Sequence, residues 1–225
     1  FGIFLFVAQY LQLVAGFSPL VAVLYTLPSA LAFIAGSMIV PALASRLRVR
    51  QIMVAGLVVA ALGFLVMTQI TASNSVAIVV IGTVVFSLGF TPVVALTTDL
   101  VVSAAPPERA GSAAALSETS IELGGALGIA ILGSVATAIY RAQMVGAVPA
   151  AMPGEAAEAA RATLGGAVMA AHQAPAQAEP MLGLAREAFI QGMQLNAWLA
   201  VAGLLATAML ALLFLKEPRV AAHSH

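Results

Sequence analysis

The stretch SETSIELGGALG, residues 117–128, carries Glu118 and Glu122, the only charged side chains between Arg109 and Arg141. Their spacing of four places both on one face of a helix, a turn apart. Two carboxyls that close oppose each other's ionisation, because the second negative charge forms beside the first. At least one of the pair is therefore expected to hold a proton at neutral pH. The chemistry such a pair can do is proton binding and release, or recognition of a cation that competes with the proton for one negative site. The structural alternative is that both are bonded to Ser117, Thr119 and Ser120 or to neighbouring helices, with Glu118 reaching toward an interface.

The surroundings make the pair unusual. The chain is 62% hydrophobic and 8% charged, against about 25% charged residues in an ordinary soluble domain. With a mean hydropathy of +1.06, it reads as an all-α integral membrane protein. At the centre of a bilayer a charge costs at least about 2.5–3.5 kcal/mol on insertion scales. A formal net charge of zero suggests neither a nucleic acid partner nor a basic membrane-surface patch. Without cysteine there is no disulfide framework, thiol nucleophile or thiolate metal site. His172 stands alone, and His223 and His225 flank a serine in a tail, so neither a metal nor a cofactor is expected. No phosphate loop, zinc signature or nucleophile elbow occurs, which argues against an enzyme.

The elements that position the acids follow from the apolar runs. Residues 1–16 are apolar but fall short of the roughly 20 that cross a bilayer as helix. The chain thus reads as starting inside a truncated first helix, and as a fragment. Five longer runs follow, at 20–44, 51–71, 76–102, 113–140 and 188–215, and none shows the period-two alternation of a β-barrel. Turn residues punctuate them at 17–19, 71–75 and 105–111, with RLRVR at 46–50. Pro28, Pro41 and Pro92 are expected to kink spans. The expected organisation is a six-helix bundle: helices one to five over 1–140, a long extracytoplasmic loop over 141–187, a last helix over 188–215 and a tail over 216–225. Within the loop, 155–172 is expected to form a short amphipathic helix or a weakly ordered segment. Arg46, Arg48, Arg50, Arg109, Lys216 and Arg219 fall on one side in short loops. The positive-inside rule makes that side, and the C-terminus, cytoplasmic.

Taking the fifth helix from Ala113, Glu118 lies about 8 Å and Glu122 about 14 Å along it. A carboxyl near mid-membrane that binds and releases protons as access switches sides is what a proton-coupled carrier needs. Beside the acids, Gly124 and Gly128 form a GxxxG with Gly125 adjacent, expected to let another helix approach closely. Gln9 and Gln12, three apart, are expected to share a face toward a cavity. Asp99 lies toward the end of the fourth span, where a helix-end acid in water or an interhelical bond is the simpler role. The methionines, phenylalanines and Trp198 read as packing and lipid contact.

Four phrases in order, QYLQLVAGFSPL (9–20), PALASRLRVRQI (41–52), TDLVVSAAPPERAG (98–111) and SETSIELGGALG, resemble the 14-helix drug:proton antiporters of the major facilitator superfamily. The resemblance extends over nearly the whole chain and corresponds to that family's last six helices. It implies the C-terminal six-helix part of a proton-coupled multidrug exporter in a bacterial inner membrane. The partners it implies are protons, lipophilic substrates, the lipid bilayer and a missing N-terminal half. It also implies proton coupling and cation recognition at Glu118 and Glu122, and a substrate cavity near Gln9, Gln12 and Asp99. LASRLRVR is similar to the superfamily's cytoplasmic loop motif, but Ser45 and Arg48 stand where that motif has aspartate and glycine. The alternatives are an exporter of a neutral or anionic antibiotic or lipid, and a truncated, non-transporting membrane remnant. A channel is disfavoured, as no repeated polar filter loop is seen.

Overall fold

The computed structural model describes residues 2–71, 75–149, 152–173 and 178–215, and among these there is helix and no strand. Helix α1 (Gly2–Gln9) runs into a wide π turn at Tyr10–Val14. It is followed by α2 (Pro19–Ala44), α3 (Val49–Met67) and α4 (Ser75–Ser103). A 3-10 turn at Pro107–Arg109 leads into α5 (Ala110–Met144). Two short helices, α6 (Gly154–Ala162) and α7 (Leu164–Gln173), precede α8 (Ala178–Phe214). Helices α2, α3, α4, α5 and α8 are long and apolar enough to cross a membrane, whereas the apolar helix Gly2–Val14 is shorter. Helices satisfy their own backbone groups, which is why such runs fold this way where water is absent.

Local signals set the boundaries. Gly16, at φ +74°, turns the chain after the π turn, a conformation that glycine adopts without steric cost. Ser18 then caps α2, its Oγ accepting from the Val21 N–H at 3.4 Å, with Pro19 in the first turn. At the start of α3 the Arg48 N–H donates to Gln51 Oε1 at 3.3 Å. Helix α2 runs on through Pro28 and Pro41, and α4 through Pro92.

Helix α4 is the centre of the bundle: α2, α3 and α5 all pack on it, and α8 packs on α3 and α5. The α3–α4 contact is backbone on backbone. A Cβ built on Gly56 would lie 2.5 Å from the Gly89 carbonyl oxygen, and one on Gly63 would lie 2.7 Å from that of Gly82. Gly56 pairs with Gly89 and Gly63 with Gly82, two glycines seven residues apart on each of two antiparallel helices. On the opposite flank of α4, Gly36 of α2 receives Thr91, whose Cβ would be 3.1 Å from a Cβ on the glycine. Small residues are what permit such close approach in a bilayer.

The glycines singled out in the sequence lie elsewhere. A Cβ on Gly124 or Gly128 would meet nothing within 4 Å, so no described helix packs on them; Gly125 beside them is half-buried. The intrachain close packing belongs to α3 and α4 instead.

The segment 141–187 is mostly helical. Helix α5 continues to Met144, and α8 begins at Ala178 rather than at 188. Arg186 and Glu187 interrupt the apolar run but not the helix, because Met181, Leu182 and Ala185 are buried on its inner side. Between them, 155–172 is two helices, broken at Thr163, which is extended at φ −152° and ψ 155°. The Thr163 Oγ1 accepts from the Gly166 N–H at 3.0 Å and so starts α7. The expected tail, with Lys216, Arg219, His223 and His225, lies outside the described residues.

Replacing Gly89 by alanine forces the α3–α4 backbones apart, at a cost of about 1–3 kcal/mol. Gly89→Ala is expected to lower the thermal unfolding midpoint of the purified protein. Gly124→Ala, made in open space, is expected to leave it unchanged or raised.

Candidate functional site

The α5 face that carries the acids is bare. Glu118 and Glu122 are both exposed, and among the described residues neither has a hydrogen-bond or ion-pair partner. The hydroxyls proposed as partners serve the helix instead. Thr119 Oγ1 donates to the Ala115 carbonyl and Ser120 Oγ to that of Leu116, each at 2.8 Å. Ser117 is buried, on the side of α5 turned to the bundle. At 1.5 Å per residue from Ala110, Glu118 stands about 12 Å and Glu122 about 18 Å along the helix. Leu116, Leu123 and Leu127 are exposed alongside them. The acids therefore project from an apolar face on which no other described helix lies.

Of the remaining polar candidates, Gln9 lies well away from this pair. Asp99 is exposed near the end of α4. Gln9 is half-buried and lines a small cavity of about 70 Å³ with Phe6, Thr137, Tyr140, Thr163 and Phe189. That cavity meets α5 at Ala136–Tyr140, some 21–27 Å along the helix from Glu122. Gln12 is exposed in the π turn. The shared face expected for Gln9 and Gln12 assumed α-helical register, which the wider turn from Tyr10 interrupts. Gln9 lies toward the far end of α5 from the acids.

That end is held by polar bonds the sequence did not advertise. The Tyr140 hydroxyl donates to the Ala160 carbonyl at 3.0 Å, tying α6 to α5. Gln143 Nε2 donates to Gln191 Oε1, and Gln194 Nε2 donates to the Ile70 carbonyl at 2.7 Å. Deeper, Asn196 Nδ2 donates to the Leu132 carbonyl at 3.0 Å across α8 and α5. A polar residue inside an apolar run was the available signal for Asn196, Gln191 and Gln194. The apolar faces of α6 (Ala156, Ala157, Ala160) and α7 (Leu164, Ala167, Ala170, Ala171) are buried, so the pair is docked on the bundle. Among the described residues no group of three histidines, cysteines or acids could hold a metal.

Residues 1–129 match the family model described as Major Facilitator Superfamily. The chain belongs to that superfamily. It is 40% identical over 209 residues to the multidrug efflux pump LfrA of Mycolicibacterium smegmatis, covering 92% of this chain and 41% of the pump. It is 33% identical over 222 residues to the tetracenomycin C resistance and export protein of Streptomyces glaucescens, covering 94% of this chain and 40% of that protein. With the methyl viologen resistance protein SmvA of Salmonella typhimurium it shares 34% identity over 194 residues, 84% of this chain and 38% of SmvA. The chain thus spans about two-fifths of the length of these relatives. Superfamily membership and the apolar helices make it a multi-pass membrane protein of a transporter family, not an enzyme.

The superfamily match ends within α5, and the α6–α7 pair lies beyond it. Its attachment can be measured separately. Tyr140→Phe removes one buried hydrogen bond, a loss of about 0.5–1.5 kcal/mol. Amide hydrogen exchange across 156–171 is expected to quicken about two- to tenfold, with exchange in α3 and α4 unchanged.

Proposed function

We propose that this chain is one six-helix bundle of a proton-coupled multidrug exporter of the bacterial cytoplasmic membrane. The observation that carries the proposal is the unpartnered acid pair of α5, on a chain whose relatives are named for drug efflux and resistance. The rest of a full-length transporter supplies the second bundle, and the bare faces of α2 and α5 turn toward it. Alternating access comes from one bundle rocking against the other. The short links that carry Arg46, Arg48 and Arg109 face the cytoplasm, as does the C-terminus, and the α6–α7 pair faces outward.

In this scheme a lipophilic cation enters from the cytoplasm or the inner leaflet and neutralises the ionised carboxylate of Glu122 or Glu118. When the site opens outward, protonation from outside removes the negative charge and the cation leaves. The protonated carboxyl then returns inward without that charge. A proton and a cation compete for one negative site, so one pair of acids couples the two fluxes. A membrane potential adds about 2.3 kcal/mol per charge per 100 mV. Gly124, Gly125 and Gly128 continue the same helix and suit the close approach of a helix from the second bundle.

Glu122→Gln in the full-length transporter tests this directly. Export of a divalent cationic dye, driven by an imposed proton gradient in membrane vesicles, is expected to disappear, and Glu118→Gln is expected to reduce it less. Unchanged export in Glu122→Gln would remove Glu122 from the mechanism.

A further inference from the structure

A second concave site lies away from the acids, between α1, α2 and α4. It is an open concavity of about 450 Å³ lined by Phe4, Thr26, Ser29, Phe33, Ile34 and Ser87, within the usual volume range for small-molecule pockets. Its floor comes from the helix contacts already described. Gly36 and Thr91 draw α2 and α4 together, and away from that contact Ser29 and Ser87 face one cavity. Phe4 sits edge-on to Phe86, ring centres 6.4 Å apart, and forms one wall.

Two of the three hydroxyls bond their own helix and one does not. Thr26 Oγ1 donates to the Val23 carbonyl at 2.8 Å, and Ser29 Oγ donates to that of Thr26 at 2.7 Å. Both have spent their protons on the backbone, so toward the cavity they offer only lone pairs. Ser87 differs: it is 1% exposed, and its Oγ has no hydrogen-bond partner. A buried hydroxyl without a partner is uncommon and points to a missing one. The lining holds three hydroxyl oxygens, two phenyl rings and no carboxylate or cation.

We propose that this cavity binds the amine end of a lipophilic aromatic cation, its N–H groups bonded to the hydroxyl oxygens of Ser87, Ser29 and Thr26. The proposal rests on the exporter assignment and deepens it by naming what the transporter selects. Phe4 and Phe33 receive the positive charge over their rings, as aromatic faces do. The acids of α5 respond to charge, whichever atoms bear it. This cavity adds a requirement for N–H donors, so it separates amine cations from cations that carry no hydrogen on the charged centre.

The test uses the purified full-length transporter and two probes. Proflavine is a planar aromatic cation with primary amino groups; tetraphenylphosphonium is aromatic and cationic but has no N–H. Ser87→Ala and Thr26→Val are each expected to weaken proflavine binding, by fluorescence polarisation, about three- to tenfold. Tetraphenylphosphonium binding, measured with radiolabel, should change less than about twofold on the same scale. Equal weakening for both probes would show a merely structural role, and unchanged proflavine binding would show an unused cavity; either overturns the proposal. Transport of the same probes by wild-type vesicles is measured separately. Its absence would sink the exporter assignment while the binding data still decide the cavity. Should Ser87→Ala fold poorly, Thr26→Val and Ser29→Ala decide by the same comparison.

Discussion

Where α3 crosses α4, a carbonyl oxygen occupies the space that a Cβ would need, at Gly56 against Gly89 and at Gly63 against Gly82. A bilayer supplies no hydrophobic drive for one helix to seek another, so association depends on close packing of this kind. With α3 seated, α4 becomes an axis with a fixed rotation. Its other flank then presents Thr91 to Gly36, which brings α2 in, and α5 leans on what remains. The rotation also decides that Ser87 turns into the α1–α2–α4 cavity and not toward α3. A single backbone seam therefore sets the placement of both the acid-bearing helix and the hydroxyl-lined cavity.

The two ends of the bundle are built by different chemistry. Toward Arg46 and Arg109 the helices meet through short links, and α5 stands largely bare. At the other end, side-chain amides and one phenol bond across elements: Gln194 to Ile70, Gln143 to Gln191, and Tyr140 to Ala160. The Tyr140 bond satisfies a buried hydroxyl and the Gln194 bond a part-buried amide that would otherwise lack partners, while Gln143 and Gln191 pair at the surface. The α6–α7 pair is thereby held to α5 and α8, while the acid-bearing face of α5 is left without an intrachain neighbour. A helix fixed at one end and bare at the other suits a surface that must meet a second body.

Much of this was legible in the residues, for reasons that differ by element. The spans α2, α3, α4 and α5 follow their apolar runs closely, because in a membrane hydropathy and helix length answer to the same thickness. The acids stood out because two charges within one apolar run are costly enough to need a cause. The start of α8 did not show, since Arg186 and Glu187 break hydropathy without breaking helix. The break at Thr163 was hidden in an alanine-rich stretch that favours helix on both sides. The seam of Gly56, Gly63, Gly82 and Gly89 requires knowing which helices pair, whereas the GxxxG at Gly124 shows within one helix and has no partner in this chain. Ser87 could not have been separated from the many helix serines and threonines that bond their own backbone.

The exposed faces of α8 and α5 differ in one decisive respect. From Leu205 to Phe214 the outer side of α8 is Leu205, Met209, Leu210, Leu212, Leu213 and Phe214, with no charge, a surface that lipid tails cover at no cost. The face of α5 is as apolar at Leu116, Leu123 and Leu127, but it includes Glu118 and Glu122. Turned to hydrocarbon and ionised, the pair would cost at least about 5–7 kcal/mol on insertion scales. That approaches the whole folding stability of a small domain. The two faces therefore call for different neighbours: lipid suits α8, and the acid side of α5 calls for water or protein. A transporter bundle that faced lipid all round would carry no such side. The contrast between two equally exposed helices of one chain argues, from energetics alone, that the acid side of α5 borders a polar space.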